Sequence, residues 1–143
     1  MSQSFPKVKV VAVGKVKKTW LRNGIELYTK RLPEVEIVEI KDTDTEKEAD
    51  KLLSSLGSQE RLVVLSEYGK NHDSVAFSRW LTQEAFGTLV LFIGGPEGVS
   101  DRLKTYPAIS LSKMTFPHEV ARLLLLEQLY RAKTILQNGS YHK

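Results

Sequence analysis

Thr88-Leu89-Val90-Leu91-Phe92-Ile93-Gly94-Gly95-Pro96-Glu97-Gly98 is the stretch on which the fold turns. Its first six residues form the most apolar run of the chain. An uninterrupted run of this kind suits a strand covered on both faces, in the middle of a parallel sheet. The glycines that follow let the chain turn tightly and approach a ligand with no Cβ in the way. Ligands of open α/β sheets bind outside the carboxyl ends of strands, so residues 94–98 are the first candidate site. They are neither a P-loop, since no Gly-Lys-Ser/Thr follows, nor a G-x-G-x-x-G fingerprint. An ordinary strand-to-helix turn would look the same.

Working outward, strand and helix patterns alternate. Residues 7–13 are β-branched and read as a first strand. Residues 17–31 carry Trp20, Leu21, Ile25, Leu27 and Tyr28 at roughly helical spacing, and Pro33 stops that helix. Residues 35–40 alternate apolar with Glu, as an edge strand does. Residues 44–56 read as a polar helix ending at Gly57, and 62–65 as a short buried strand. Residues 74–86 read as a helix capped by Asp73 and closed by Gly87. Residues 100–106 read as a short helix, 108–111 as a last strand and 115–137 as a long helix. Strands joined by helices run parallel, so the fold class is α/β, one domain over residues 1–143.

Composition agrees. The chain has 143 residues, 41% hydrophobic and 27% charged, and no cysteine. That length buries a real core, and disulfides and thiolate metal sites are excluded. No stretch approaches the ~18 apolar residues that cross a bilayer. The run at residues 8–13 is too short for a signal peptide, so a cytoplasmic protein is expected. Net charge is +4, but residues 1–33 hold eight basic residues (Lys7, Lys9, Lys15, Lys17, Lys18, Arg22, Lys30, Arg31) against Glu26 alone. Such asymmetry marks either a solvated surface or a polyanion-binding face.

Two more strand ends qualify as ligand sites: residues 65–70 and 111–116. In the second, Thr115 can cap the long helix and Pro117 fits its first turn, leaving backbone N–H groups for an adenine edge or a carboxylate. His118-Glu119-Val120-Ala121-Arg122 begins like a zinc-protease motif, but Arg122 stands where its second histidine must be. Gly98-Val99-Ser100-Asp101-Arg102 begins like a nucleophile elbow, but Arg102 replaces its closing glycine. The three histidines lack metal-ligand spacing, so no metal is expected. The long helix is apolar over more than one stripe, which favours a homodimer as its second cover. The tail Tyr141-His142-Lys143 combines an aromatic, an imidazole and a cation: stacking on a base, handling a proton and meeting a phosphate are their natural uses.

Four segments taken together carry a resemblance. They are Phe92-Ile93-Gly94-Gly95-Pro96-Glu97-Gly98, Leu111-Ser112-Lys113-Met114-Thr115-Phe116-Pro117-His118, Leu126-Glu127-Gln128-Leu129-Tyr130-Arg131-Ala132 and Tyr141-His142-Lys143. In this order and spacing the chain closely resembles the ribosomal large subunit pseudouridine methyltransferase H family, small members of the SPOUT class. The opening Val11-Ala12-Val13-Gly14-Lys15 is similar too. The resemblance implies a C-terminal trefoil knot, which general connection rules would not suggest. It also implies a homodimer that binds S-adenosylmethionine in the knot and methylates N3 of a pseudouridine in large-subunit ribosomal RNA, on an assembled ribosome. By position, Leu65, Gly94, Gly95, Leu111, Ser112, Lys113, Met114, Thr115 and Phe116 match the cofactor contacts, and Tyr141 and His142 match the family's terminal Tyr-His. The family-like reaction needs sulfur, methyl and N3 in line, a positioning task, and needs the N3 proton to leave. His142 is the first candidate for that base, with water as the other acceptor. Lys15, Lys17, Lys18 and Arg22, with Lys143, are expected to dock RNA. Two departures stand out: residues 1–6 extend the N-terminus, and Lys143 ends the chain where relatives often carry arginine. The alternative from another class is a non-catalytic α/β module that binds a nucleotide or RNA. A hydrolase or phosphotransferase lacks its motifs here.

Overall fold

The computed structural model describes residues 5–83 and 87–142. Strands β1 (Lys7–Val13), β2 (Val35–Ile40), β3 (Glu60–Asn71), β4 (Thr88–Ile93) and β5 (Ala108–Ser110) alternate with helices α1 (Thr19–Thr29), α2 (Thr45–Ser55), α3 (Ser74–Gln83) and α4 (His118–Leu136). A 3₁₀ turn, Asp101–Thr105, links β4 to β5. The strands form one five-stranded sheet in the order β2-β1-β4-β3-β5, and every pairing is parallel. The α/β reading therefore holds. β4 lies in the centre with Leu89 to Ile93 all buried, and β2 lies at an edge with Glu36 and Glu39 exposed.

Alternate residues of each strand feed two cores. On one face Val10, Ala12, Val63, Leu89, Leu91 and Ile93 pack under α1, α3 and α4. On the other, Val11, Val13, Val64, Val90 and Phe92 pack with Ala49 and Leu52 of α2 and Leu103 of the 3₁₀ turn. Each fully buried aliphatic contributes about 1.5–3 kcal/mol, so this double burial drives assembly of the sheet. Among the described residues, no helix is long and apolar enough to cross a membrane.

Several expectations need correction. β3 is not a short strand at 62–65 but runs to Asn71, because it pairs with β5 in two pieces: Leu65 opposite Ile109, then Lys70 opposite Ile109 again. Residues 66–69 bulge out between those pairings. The long helix begins at His118 rather than 115, with Pro117 at its N-cap position and no side-chain cap. Thr115 instead donates its hydroxyl to Glu67 across the gap between two loops. Asp73 does cap α3, accepting from the N–H of Ala76 at 2.7 Å, but the expected extension of that helix over residues 84–86 lies outside the described residues. Within the chain, part of the apolar surface of α4 is covered, while Val120, Ala121, Leu123, Leu124, Tyr130 and Ile135 stay half-buried. α1 and α3 flank the helix, and no residue from His118 to Leu136 is exposed in the single chain.

Two strands approach each other tightly at Gly69. A Cβ placed there would lie 2.6 Å from the carbonyl carbon of Ile109 and 2.7 Å from that of Ala108, both backbone atoms of β5. Gly69→Ala should therefore push β3 and β5 apart and cost about 1–3 kcal/mol, as overpacking does. Gly57→Ala, where the nearest atom is a Glu60 side-chain carbon at 3.7 Å, is the control and should cost far less. Urea unfolding midpoints of the two variants check the difference.

Candidate functional site

A cleft of about 1240 Å³ opens at the carboxyl ends of β4 and β5 and beside the bulge of β3. Three loops make its walls: residues 65–68 of the β3 bulge, residues 94–99 after β4, and residues 111–118 between β5 and α4. The glycine loop is shaped by its own backbone. Gly98 N–H donates to the Gly95 carbonyl at 3.0 Å and Gly98 has φ +83°, while a Cβ on Gly94 would strike the Gly98 oxygen at 2.6 Å. In the third loop, Ser110 donates to the Ser112 carbonyl at 2.7 Å and Ser112 accepts from the Met114 N–H at 3.0 Å. With the Thr115–Glu67 hydrogen bond, these contacts tie the third loop to the first.

Of the residues expected to hold a cofactor, Leu65, Gly94, Gly95, Leu111, Ser112, Met114, Thr115 and Phe116 all line this cleft. Lys113 lies in the same loop, exposed, and is not among the lining residues. The lining is mixed. Leu65, Ile93, Leu111 and Phe116 offer apolar surface, and Glu67 and Glu97 bring carboxylates. Exposed Met114 and Tyr68 also border it.

The basic segment sits at the same end of the sheet. Lys15, Lys17, Lys18 and Arg22 are exposed on the loop after β1 and the first turns of α1. The Lys17 N–H reaches Glu119 at 3.3 Å, so this loop touches the start of α4. Buried Arg122 fastens the same junction: it donates to Glu39 at 2.5 Å and to the Gly14 carbonyl at 3.1 Å. One helix start is thus pinned to the ends of β1 and β2 while its neighbours His118 and Ala121 line the cleft.

The tail is elsewhere. Tyr141 and His142 are not among the residues lining the cleft of their own chain. They fold back onto α4 near Glu127, about 9 Å of helix axis beyond Ala121. Asn138, at φ 56°, makes the reversal, and the Gly139 N–H returns to Thr134. The Tyr141 hydroxyl donates to Glu127 at 2.9 Å and lies 3.1 Å from the Tyr28 hydroxyl of α1. The Tyr28 contact, then burial, then the Glu127 carboxylate hold the Tyr141 phenol protonated well above its usual range. His142 Nδ1 lies 3.1 Å from a guanidinium nitrogen of Arg131. Lys143 lies outside the described residues.

Sequence reasoning overlooked Glu127 and Arg131 as the pair that holds the tail. Their i,i+4 spacing was the available signal, since such pairs meet on one helix face. Glu67 was overlooked as well; nothing local marks a glutamate that will meet a threonine 48 residues away.

Comparison with known proteins agrees with this geometry. Residues 7–142 match the family model described as "Predicted SPOUT methyltransferase". The ribosomal RNA large subunit methyltransferase H of Parasynechococcus marenigrum is 47% identical over 94% of this chain and 95% of that protein. The protein of that name from Prochlorococcus marinus strain MIT 9303 is 49% identical over 94% of this chain and 91% of its own length. The one from Synechococcus strain RCC307 is 46% identical over 96% and 95% respectively. With a strand-end cleft built by the loops that carried the resemblance, and a match over nearly the whole length, the chain belongs to the SPOUT methyltransferase family, for which a C-terminal trefoil knot is the implied topology.

Proposed function

We propose that this methyltransferase uses S-adenosylmethionine to methylate N3 of a pseudouridine in large-subunit ribosomal RNA, acting as a homodimer in the cytoplasm. One observation carries the reading: three loops far apart in sequence, each expected to touch the cofactor, converge on a single cleft. The residues fit the group. Leu65, Leu111 and Phe116 could enclose an adenine, backbone of residues 111–116 could meet its edge, and Glu67 and Glu97 bring to the cleft negative charge that would suit a sulfonium cation. When bound, S-adenosylmethionine supplies a methyl group already activated by its sulfonium, so the chain's own work is alignment and handling of the N3 proton. Gly94 and Gly95 let the glycine loop pack tightly against Gly98, Val99 and Val13, and Lys113, exposed on the third loop, is available to a phosphate or carboxylate.

Lys15, Lys17, Lys18 and Arg22, with Lys143, serve as the RNA-docking cations. Exposed lysines near a cleft supply salt-dependent attraction to phosphates rather than base readout. Tyr141 and His142 serve as the catalytic residues that reach the target base. Because they dock away from the cleft of their own chain, a partner protomer's tail completes the site. The dimer face proposed for this is the stripe Trp20–Leu27 of α1, i,i+7 residues that are 62% and 47% exposed, continued by Leu123 against Gly24. A non-catalytic nucleotide- or RNA-binding module could use the same cleft; the relatives, all carrying a methyltransferase name, favour the enzyme.

Incubating the purified protein with large ribosomal subunits and methyl-labelled S-adenosylmethionine tests the reading. Label should appear in ribosomal RNA as 3-methylpseudouridine; no calorimetric heat with S-adenosylmethionine would favour the module, and cofactor binding without transfer would defeat ribosomal RNA as the substrate. Gly94→Val should weaken cofactor binding at least tenfold, about 1.4 kcal/mol. Replacing Lys15, Lys17 and Lys18 together by alanine should weaken ribosome binding and flatten its salt dependence while cofactor affinity stays unchanged. Trp20→Glu should shift the protein toward monomer in sedimentation and lower turnover with it.

A further inference from the structure

A guanidinium donates hydrogen bonds and accepts none. Arg131 Nη1 lies 3.1 Å from His142 Nδ1, so a hydrogen bond here requires Nδ1 to accept, which leaves Nε2 as the ring's N–H donor. Arg131 is itself immobilised. Its Nε and Nη2 donate to Glu127 Oε2 at 3.1 and 2.8 Å, and its guanidinium lies 4.9 Å from the centre of the Tyr141 ring. The Tyr141 hydroxyl donates to the same Glu127 oxygen, and Tyr28 of α1 closes the cluster. Tyr130 of α4 packs its ring against Tyr141 and Tyr28, and Arg31 lies over Tyr130, so α1, α4 and the tail form one cluster around Arg131, which contacts His142.

We propose that Arg131 is a positioning residue that holds His142 as an Nε2–H donor, and that His142 donates to a carbonyl beside the reacting nitrogen instead of removing the proton from it. This rests on the reading above that His142 reaches the target pseudouridine. N3 of that base stands between two carbonyls. Loss of its proton spreads negative charge over N3 and both oxygens, and a fixed N–H at one oxygen stabilises the anion as an oxyanion hole does. The proton passes to water. The N3 electron pair then forms the bond to the methyl carbon, the carbon–sulfur bond breaks, and its electrons return to sulfur, which becomes a neutral thioether. His142 keeps its proton throughout, and Tyr141, held as a phenol, takes none.

Two measurements test this. With only His72, His118 and His142 in the chain, histidine ¹⁵N NMR of the full protein can be assigned residue by residue. His142 should be the Nε2–H tautomer, and Arg131→Met should abolish that preference. In the ribosome assay, His142→Gln keeps an N–H but offers no base. It should retain turnover within about tenfold of the parent, whereas His142→Ala should lose about 100- to 1000-fold, the cost of an oxyanion donor, with cofactor affinity unchanged in both. An Nδ1–H tautomer, or a glutamine variant as inactive as the alanine one, overturns the proposal. A parent protein that methylates no ribosomal RNA would instead overturn the functional reading beneath it, and the tautomer would still decide the role given to Arg131.

Discussion

The contact between Gly69 and the backbone of β5 is the constraint on which the rest of the site depends. β3 pairs with β5, departs for residues 66–69 and returns, and only a residue without a Cβ lets the returning chain lie against the Ile109 peptide. The departure is what creates a wall. Leu65, Glu67 and Tyr68 stand on it, facing the glycine loop and the loop that leads into α4. Glu67 then fastens Thr115, so the first and third loops are braced across the space they enclose. An uninterrupted β3 would pair with β5 along its length and leave no such wall.

A second constraint acts at the start of α4. Arg122 carries a charge into a buried position, where it holds Glu39 and the Gly14 carbonyl. An unpaired buried charge is strongly unfavourable, so the helix start is confined to the ends of β1 and β2. That confinement brings the basic loop after β1 beside the cleft, and it orients the rest of α4 so that Glu127 and Arg131 meet the returning tail. The loop lining the cleft, the exposed lysines after β1 and the tail are therefore linked through one helix.

Much of this was legible in the sequence, for identifiable reasons. The apolar run at residues 88–93 announced a central strand, and the Val/Glu alternation at 35–40 an edge. The glycine loop and the segment at 111–116 were readable as loops that line a strand-end cleft because topology alone places them there. The long reach of β3 was hidden, since Lys70 and Asn71 are polar and pair with a strand 39 residues on, after a bulge at residues 66–69. Thr115 followed the pattern of a helix cap, yet a distant carboxylate claimed its hydroxyl. The contact between His142 and Arg131 was equally hidden, since the two residues lie 11 apart and on different segments. Long-range side-chain partnerships leave no periodic trace, and these are the features that composition and spacing missed.

The most direct measurement is nucleoside mass spectrometry of large-subunit ribosomal RNA from cells with and without this protein. Loss of 3-methylpseudouridine in its absence, restored by the intact chain, is the expected result. Full methylation of that nucleoside in cells lacking the protein would contradict the assignment.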